Sequence, residues 1–215
     1  MNNHAFNDVL KFSITLIAII NPIGAIPVFL SFTKNNKNLN LKNVINTCSI
    51  AVSITILISL IIGQQLLNFF GISVASFTIG GGLLLFTMAF SMISGEQSNS
   101  KINTEEIRSF DFEREIGIIP LAIPLLSGPG AISTSIIHAK NFTTTSHWIL
   151  ALLMVIVIGI LIKTVLHYAE SIGRKLGQIG LNVMTRIEGL ILLSLSIEMI
   201  TSGIKEIMPI LKSAL

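Results

Sequence analysis

The residue with the sharpest chemistry is Glu198, about eleven positions into the last long apolar run and so near the middle of a membrane span. A carboxylate at that depth costs roughly 2.5–3.5 kcal/mol on insertion scales, so it requires a reason. Ser194, Thr201 and Lys205 recur on its helical face, and the stripe is expected to turn inward. One reading makes Glu198 a proton or cation relay. The other makes it a protonated side chain that hydrogen-bonds a neighbouring helix for packing.

Two other stretches carry backbone chemistry. Asn21-Pro22-Ile23-Gly24-Ala25-Ile26-Pro27 and Ser127-Gly128-Pro129-Gly130-Ala131-Ile132 each interrupt an apolar run with prolines and glycines. A proline inside a helix removes a backbone donor and clashes with the preceding turn, at about 3 kcal/mol. Hydrocarbon offers no water to repair the freed groups, so such breaks persist where protein or an aqueous cavity covers them. Half-helix ends at Asn21, Pro22, Gly24 and Pro27, and at Ser127, Gly128, Pro129 and Gly130, could present amides and carbonyls to a substrate. Asn21 and Ser127 would add side-chain donors and acceptors. The bland reading is a pair of packed kinks satisfied by neighbouring helices.

Other chemistries find little support. Ser127 has no histidine, lysine or paired aspartate expected at its depth, so hydrolysis is a poor fit and no enzymatic activity is expected. His4, His138, His147 and His167 fall at span ends or outside spans, with no second ligand at metal spacing. No metal or other cofactor is expected. Cys48, alone of its kind, reads as a small buried apolar side chain. Gly80-Gly81-Gly82, with Gly189, reads as close helix packing, because a phosphate loop needs a strand–helix setting that is missing.

The elements that must position these residues follow from composition. The chain has 215 residues, 51% hydrophobic and 12% charged, and a mean hydropathy of +0.80. That balance belongs in a bilayer. Stretches near the roughly 20 residues needed to cross one are six, at about 9–32, 44–63, 71–93, 116–137, 147–167 and 187–207. Residues 9–32 are too long for a signal peptide and run into the Asn-Pro break, so this segment is expected to stay. All connections are short, so residues 1–215 read as one all-α membrane domain. The basic pI near 9.2 does not point to nucleic acid, since the basic residues lie scattered in connections.

Those basic residues set the orientation. The first, third and fifth connections carry Lys34, Lys37, Lys42, Lys101, Arg108, Arg114, Arg174, Lys175 and Arg186; the other face carries Lys11, Lys140, Lys205 and Lys212. Nine against four places both termini outside the cytoplasm, in the periplasm of a bacterium. Asn103 and Glu106 form a capping-box pattern that would open a short surface helix. Ile172, Leu176, Ile179 and Val183 recur at helical spacing, as in a helix lying against anionic lipid; a solvated linker is the other reading. Lys163 is expected to snorkel, Glu188 to share the same interface beside Arg186, and Trp148 to sit in an aromatic belt.

The chain also resembles itself. Gly24-Ala25-Ile26 superposes on Gly130-Ala131-Ile132, and Ile79 to Leu85 on Ile187 to Leu193 at nearly the same offset. Five of the 6 prolines fall in the first and fourth spans. This predicts a 3+3 inverted repeat with broken first and fourth helices: repeat one about 9–93, a connection about 94–115 and repeat two about 116–207. Such repeats point to a transporter site near the midplane.

Asn21 to Leu30, Gly80 to Leu85, Pro120 to Ile132 and Arg186 to Leu190 together resemble the MarC family of bacterial inner-membrane proteins, along essentially the whole chain. The resemblance implies a six-span protein of the plasma membrane, distantly similar to small amino-acid exporters of the LysE type. It names no substrate. The expected function is secondary transport or export of a small solute, with membrane lipid around it and a homo-oligomer as a further expectation. The competing function is a non-transporting membrane scaffold or partner protein.

Overall fold

The computed structural model describes residues 3–33, 39–94 and 116–214. Within them the chain is helical, with no strand: α1 (Asn3–Ile20), α2 (Ala25–Thr33), α3 (Leu41–Phe69), α4 (Val74–Ser94), α5 (Gly117–Leu126), α6 (Pro129–Ala139), α7 (Thr145–His167) and α8 (Ala169–Ala214). Four of these, α3, α4, α7 and the Ala169–Met208 part of α8, are individually long and apolar enough to cross a membrane. The pairs α1–α2 and α5–α6 pass the same test together, bent by 45° and 59°. Counting each bent pair once gives six spans, broken where Asn21-Pro22 and Ser127-Gly128-Pro129 stand.

α5 is wound wide rather than as a regular α-helix, and Ile119 and Ile123 within it are extended, with φ/ψ of −123°/119° and −124°/123°. Both precede prolines, whose ring disfavours the helical region for the residue before it. Residues 103–106, where a capping box was expected, lie outside the described residues, as do Lys34, Lys37, Lys101, Arg108 and Arg114. The fifth connection is helical as its pattern predicted, but it is divided. Gly177, at φ +63°, separates a short segment from one continuous with the last span. A left-handed turn of that kind suits glycine. Leu176, Ile179 and Val183 are exposed, while Ile172 packs on the core.

α3 packs against α5, α6 and α7; α1 against α6 and α7; α8 against α2 and α4; and α4 against α6. Phe12, Leu16, Ile26, Phe29, Ile56, Ile158 and Ile162 are fully buried between them. The outer faces are as apolar as the core: Ile50, Ile54, Ile58 and Ile61 on α3, and Leu152, Ile156 and Ile160 on α7, are exposed. Hydrophobicity therefore does not sort inside from outside here. Close packing does, through small residues.

The α4–α8 seam illustrates this. A Cβ at Gly82 would come within 2.9 Å of the Ser196 carbonyl, one at Gly189 within 3.0 Å of Ala89 O, and one at Gly203 within 2.8 Å of Ala75 O. Gly81 abuts Pro129 of the second break. Gly80 is the exception to the expected packing role: it is exposed with nothing within 4 Å of its Cβ position. At one end of the bundle His147 is more embedded than a span-end histidine suggests. It caps α7 through Thr144, whose N–H donates to Nδ1 at 3.3 Å, stacks on Phe142 and lies 3.6 Å from Asp8.

Candidate functional site

The first break is built by Asn21. Pro22 disfavours helical geometry at the residue before it, so α1 ends at Ile20, and Asn21 takes φ +43°. Asparagine is among the few side-chain-bearing residues that visit this left-handed region readily. Its N–H still donates to Ile17 O at 2.9 Å, and its Oδ1 accepts from Gly24 N at 3.3 Å, which starts the chain into α2. Pro27 lies in the first turn of α2, where a backbone donor is not needed. The remaining group of Asn21, Nδ2, crosses the protein and donates to Glu188 Oε1 at 2.6 Å.

Glu188 is therefore not an interfacial companion of Arg186. Arg186 is exposed, whereas Glu188, rotated away from it by two residues of helix, is buried at 8% exposure. Its carboxyl lies over Gly24, where a Cβ would collide with it. Ile20, Ala25, Met92, Leu125 and Leu192 complete the surround. Among the described residues Asn21 is its hydrogen-bond partner, and the cavity they share measures about 10 Å³. That is at the lower limit for one water.

Glu198 faces another way on the same helix, about 80° round from Glu188 and opposite Gly189. It lies nine residues, about two and a half turns, beyond the seam residue Gly189. Half a turn of rotation aims it outward, and it is exposed, with Ser202 Oγ donating to it at 3.5 Å. Ser194 and Lys205 are exposed as well and Thr201 is half-buried. The stripe does not turn inward. The small residues Gly189, Ser196 and Gly203 are what identify the inward face, and reading α8 by them places Glu188 inside and Glu198 outside.

The second break satisfies itself. Ser127 is fully buried, and both its Oγ and its N–H donate to Ala122 O at 2.8 Å. Its hydroxyl is not turned to a cavity. Gly128 packs on Pro124 O with no room for a Cβ, and Pro129 occupies the first turn of α6. Gly130 reaches α1 and α8, with a Cβ position 3.1 Å from Ile19 and 3.2 Å from Met199. The structure thus brings the two breaks together through Gly130–Ile19 and through Leu125, which borders the Asn21–Glu188 cavity. Ser127→Ala is expected to lower stability by about 1 kcal/mol, because the Ser127 N–H still serves the same carbonyl. Thermal unfolding of the purified protein in detergent checks it.

A family model described as MarC family integral membrane protein matches residues 6–208. A UPF0056 membrane protein of Buchnera aphidicola (subsp. Acyrthosiphon pisum) is 40% identical over 203 residues, covering 93% of each chain. UPF0056 membrane protein YhcE of Escherichia coli (strain K12) is 40% identical over 206 residues, again 93% of each. A UPF0056 membrane protein of Pyrococcus horikoshii is 41% identical over 190 residues, 88% of this chain and 90% of its own. No solved structure matches the chain. With the match running from the first broken span to the end of the last, this multi-pass chain belongs to the MarC family of integral membrane proteins.

Proposed function

We propose that the protein is a secondary transporter or exporter of a small solute, whose path lies between the two broken spans and is closed by the Asn21–Glu188 contact. The observation that carries this reading is a buried carboxyl held by one side-chain donor at a helix break. Ionisable groups inside membrane proteins mark ion and substrate pathways. Glu188, rather than Glu198, is then the group that exchanges a proton or cation. No covalent chemistry is assigned to the site, and the protein is read as not an enzyme.

The packing pattern supports the 3+3 repeat. Exchanging the first span with the fourth, the second with the fifth and the third with the sixth carries α1–α7 onto α5–α3 and α2–α8 onto α6–α4. It leaves α3–α7 and α4–α8 as pairs with themselves. Each break packs on the third span of the other half, the first on Glu188 and the second on Gly81. Closure by a few contacts at such an interface is what alternating access between repeats requires. The basic residues favour a plasma-membrane orientation with both termini periplasmic.

The second reading, a non-transporting scaffold, draws on the smallness of the 10 Å³ cavity and on the self-satisfied Ser127. Thiol labelling separates the two. In a Cys48→Ser background, Leu125→Cys and Leu192→Cys line the closed cavity. Transport predicts that a membrane-impermeant methanethiosulfonate reaches them in intact cells or inverted vesicles, and that Glu188→Gln abolishes any pH dependence of the rate. Cysteines that stay unreactive from both sides would sink the transport reading.

A further inference from the structure

The outward face of α8 poses a problem that a single copy does not solve. Ser194, Glu198 and Ser202 lie one turn apart on it, all exposed, with Ile187 and Ile191 on the same face towards the start of the span. Lipid tails can neither hydrogen-bond a carboxyl nor receive its charge, and membrane-embedded acids nearly always face protein or water. Glu198 is about eleven residues from the start of the span, too deep for its short side chain to reach a headgroup. Its contact with Ser202 Oγ is long, at 3.5 Å, and Ser194 Oγ is turned to its own helix, donating to Leu190 O at 3.0 Å.

We propose that this face is covered by a second copy of the chain, the two α8 helices meeting about a two-fold axis normal to the membrane. Copies inserted in one orientation present the same residues at the same depth, so a polar group buried at mid-span meets a polar group. At mid-span the face is complementary to itself in that arrangement, while Lys205, two turns further on the same face, is near enough to the end of the span to extend to the headgroups. A carboxyl can donate and accept, and the partner's hydroxyls lie one turn above and below it. A two-fold interface needs that property, because the same patch serves both sides. Polar side chains of this kind hold membrane helices together where hydrophobicity cannot. The proposal does not depend on the Asn21–Glu188 site, which lies about 15 Å along α8 and about a quarter-turn round it.

The test uses the full chain in membranes. In a Cys48→Ser background, Ser194→Cys and Ser202→Cys are expected to form disulfide-linked dimers on oxidation in native vesicles. Ile160→Cys, on the outward face of α7, should give far less. After reconstitution into phosphatidylcholine–phosphatidylglycerol bilayers, single-molecule photobleaching at falling protein-to-lipid ratio reads the association directly. Glu198→Leu should require about tenfold more protein for half-dimerisation, and Glu198→Gln, which keeps hydrogen-bonding groups, clearly less. Equal cross-linking at residues 160, 194 and 202, or a Glu198→Leu curve that overlays the parent, overturns the proposal. So do adducts of Ser194→Cys with another polypeptide and none with itself.

Discussion

Gly24→Ala is expected to destabilise the protein by about 1–3 kcal/mol, the usual cost of forcing one methyl group into a filled interior. The added Cβ falls on the Glu188 carboxyl. That carboxyl has little freedom to yield, since Asn21 holds one oxygen at 2.6 Å and Met92 and Leu192 stand beside it. Glu188→Ala removes the obstacle. In the double variant the methyl of residue 24 occupies space the carboxyl has left, so the two losses should not add. A coupling of about 0.5–3 kcal/mol is expected, as for residues in direct contact. Denaturation of all four forms in the same detergent measures it, and strict additivity would mean that the two residues do not touch.

The second large effect belongs to Asn21, whose backbone and side chain can be separated by substitution. Asn21→Gly keeps the left-handed turn at φ +43° but deletes the donor to Glu188. Leaving a buried acceptor without its partner costs about 1–3 kcal/mol. Asn21→Ala deletes the donor and also strains the backbone, adding about 1–2 kcal/mol for a side chain in the left-handed region. Alanine should therefore be worse than glycine, the reverse of the order in a helix interior. Unfolding midpoints of the two variants decide this, and alanine equal to glycine would show that the turn relaxes.

Much of the architecture was legible because membrane spans announce themselves. Six apolar runs, the two Pro/Gly breaks and the helical fifth connection follow from hydropathy and from what proline does to its neighbours. The seam was legible at Gly81, Gly82 and Gly189. Gly80 was not separable from them, because three successive glycines point in three directions and sequence alone does not say which face meets a helix.

The site was half legible. Asn21 and Gly24 stood out as helix-breaking chemistry, but Glu188 was read as an interfacial acid because it follows Arg186. What decides its environment is the rotation of α8, fixed by backbone contacts of Gly189 and Gly203 with α4. Glu198 is hard to place for the complementary reason: polar neighbours on its face look like a sign of the interior. In a bilayer protein, small residues are the better guide to the interior. Ser127 reads from sequence as a side chain that could serve a substrate, yet its hydroxyl serves its own turn, which the sequence does not reveal.

The Asn21–Glu188 hydrogen bond joins residues separated by 167 positions. At the usual 5–20 residues per second, a ribosome needs on the order of ten to thirty seconds to make the intervening chain. For that interval the first broken span exists without the acid that receives its amide, and without α8, the main helix that α2 packs against. A chain that has not yet made α8 has no acceptor for the Asn21 amide, so the first break to be synthesised is the last to have its hydrogen bonds completed.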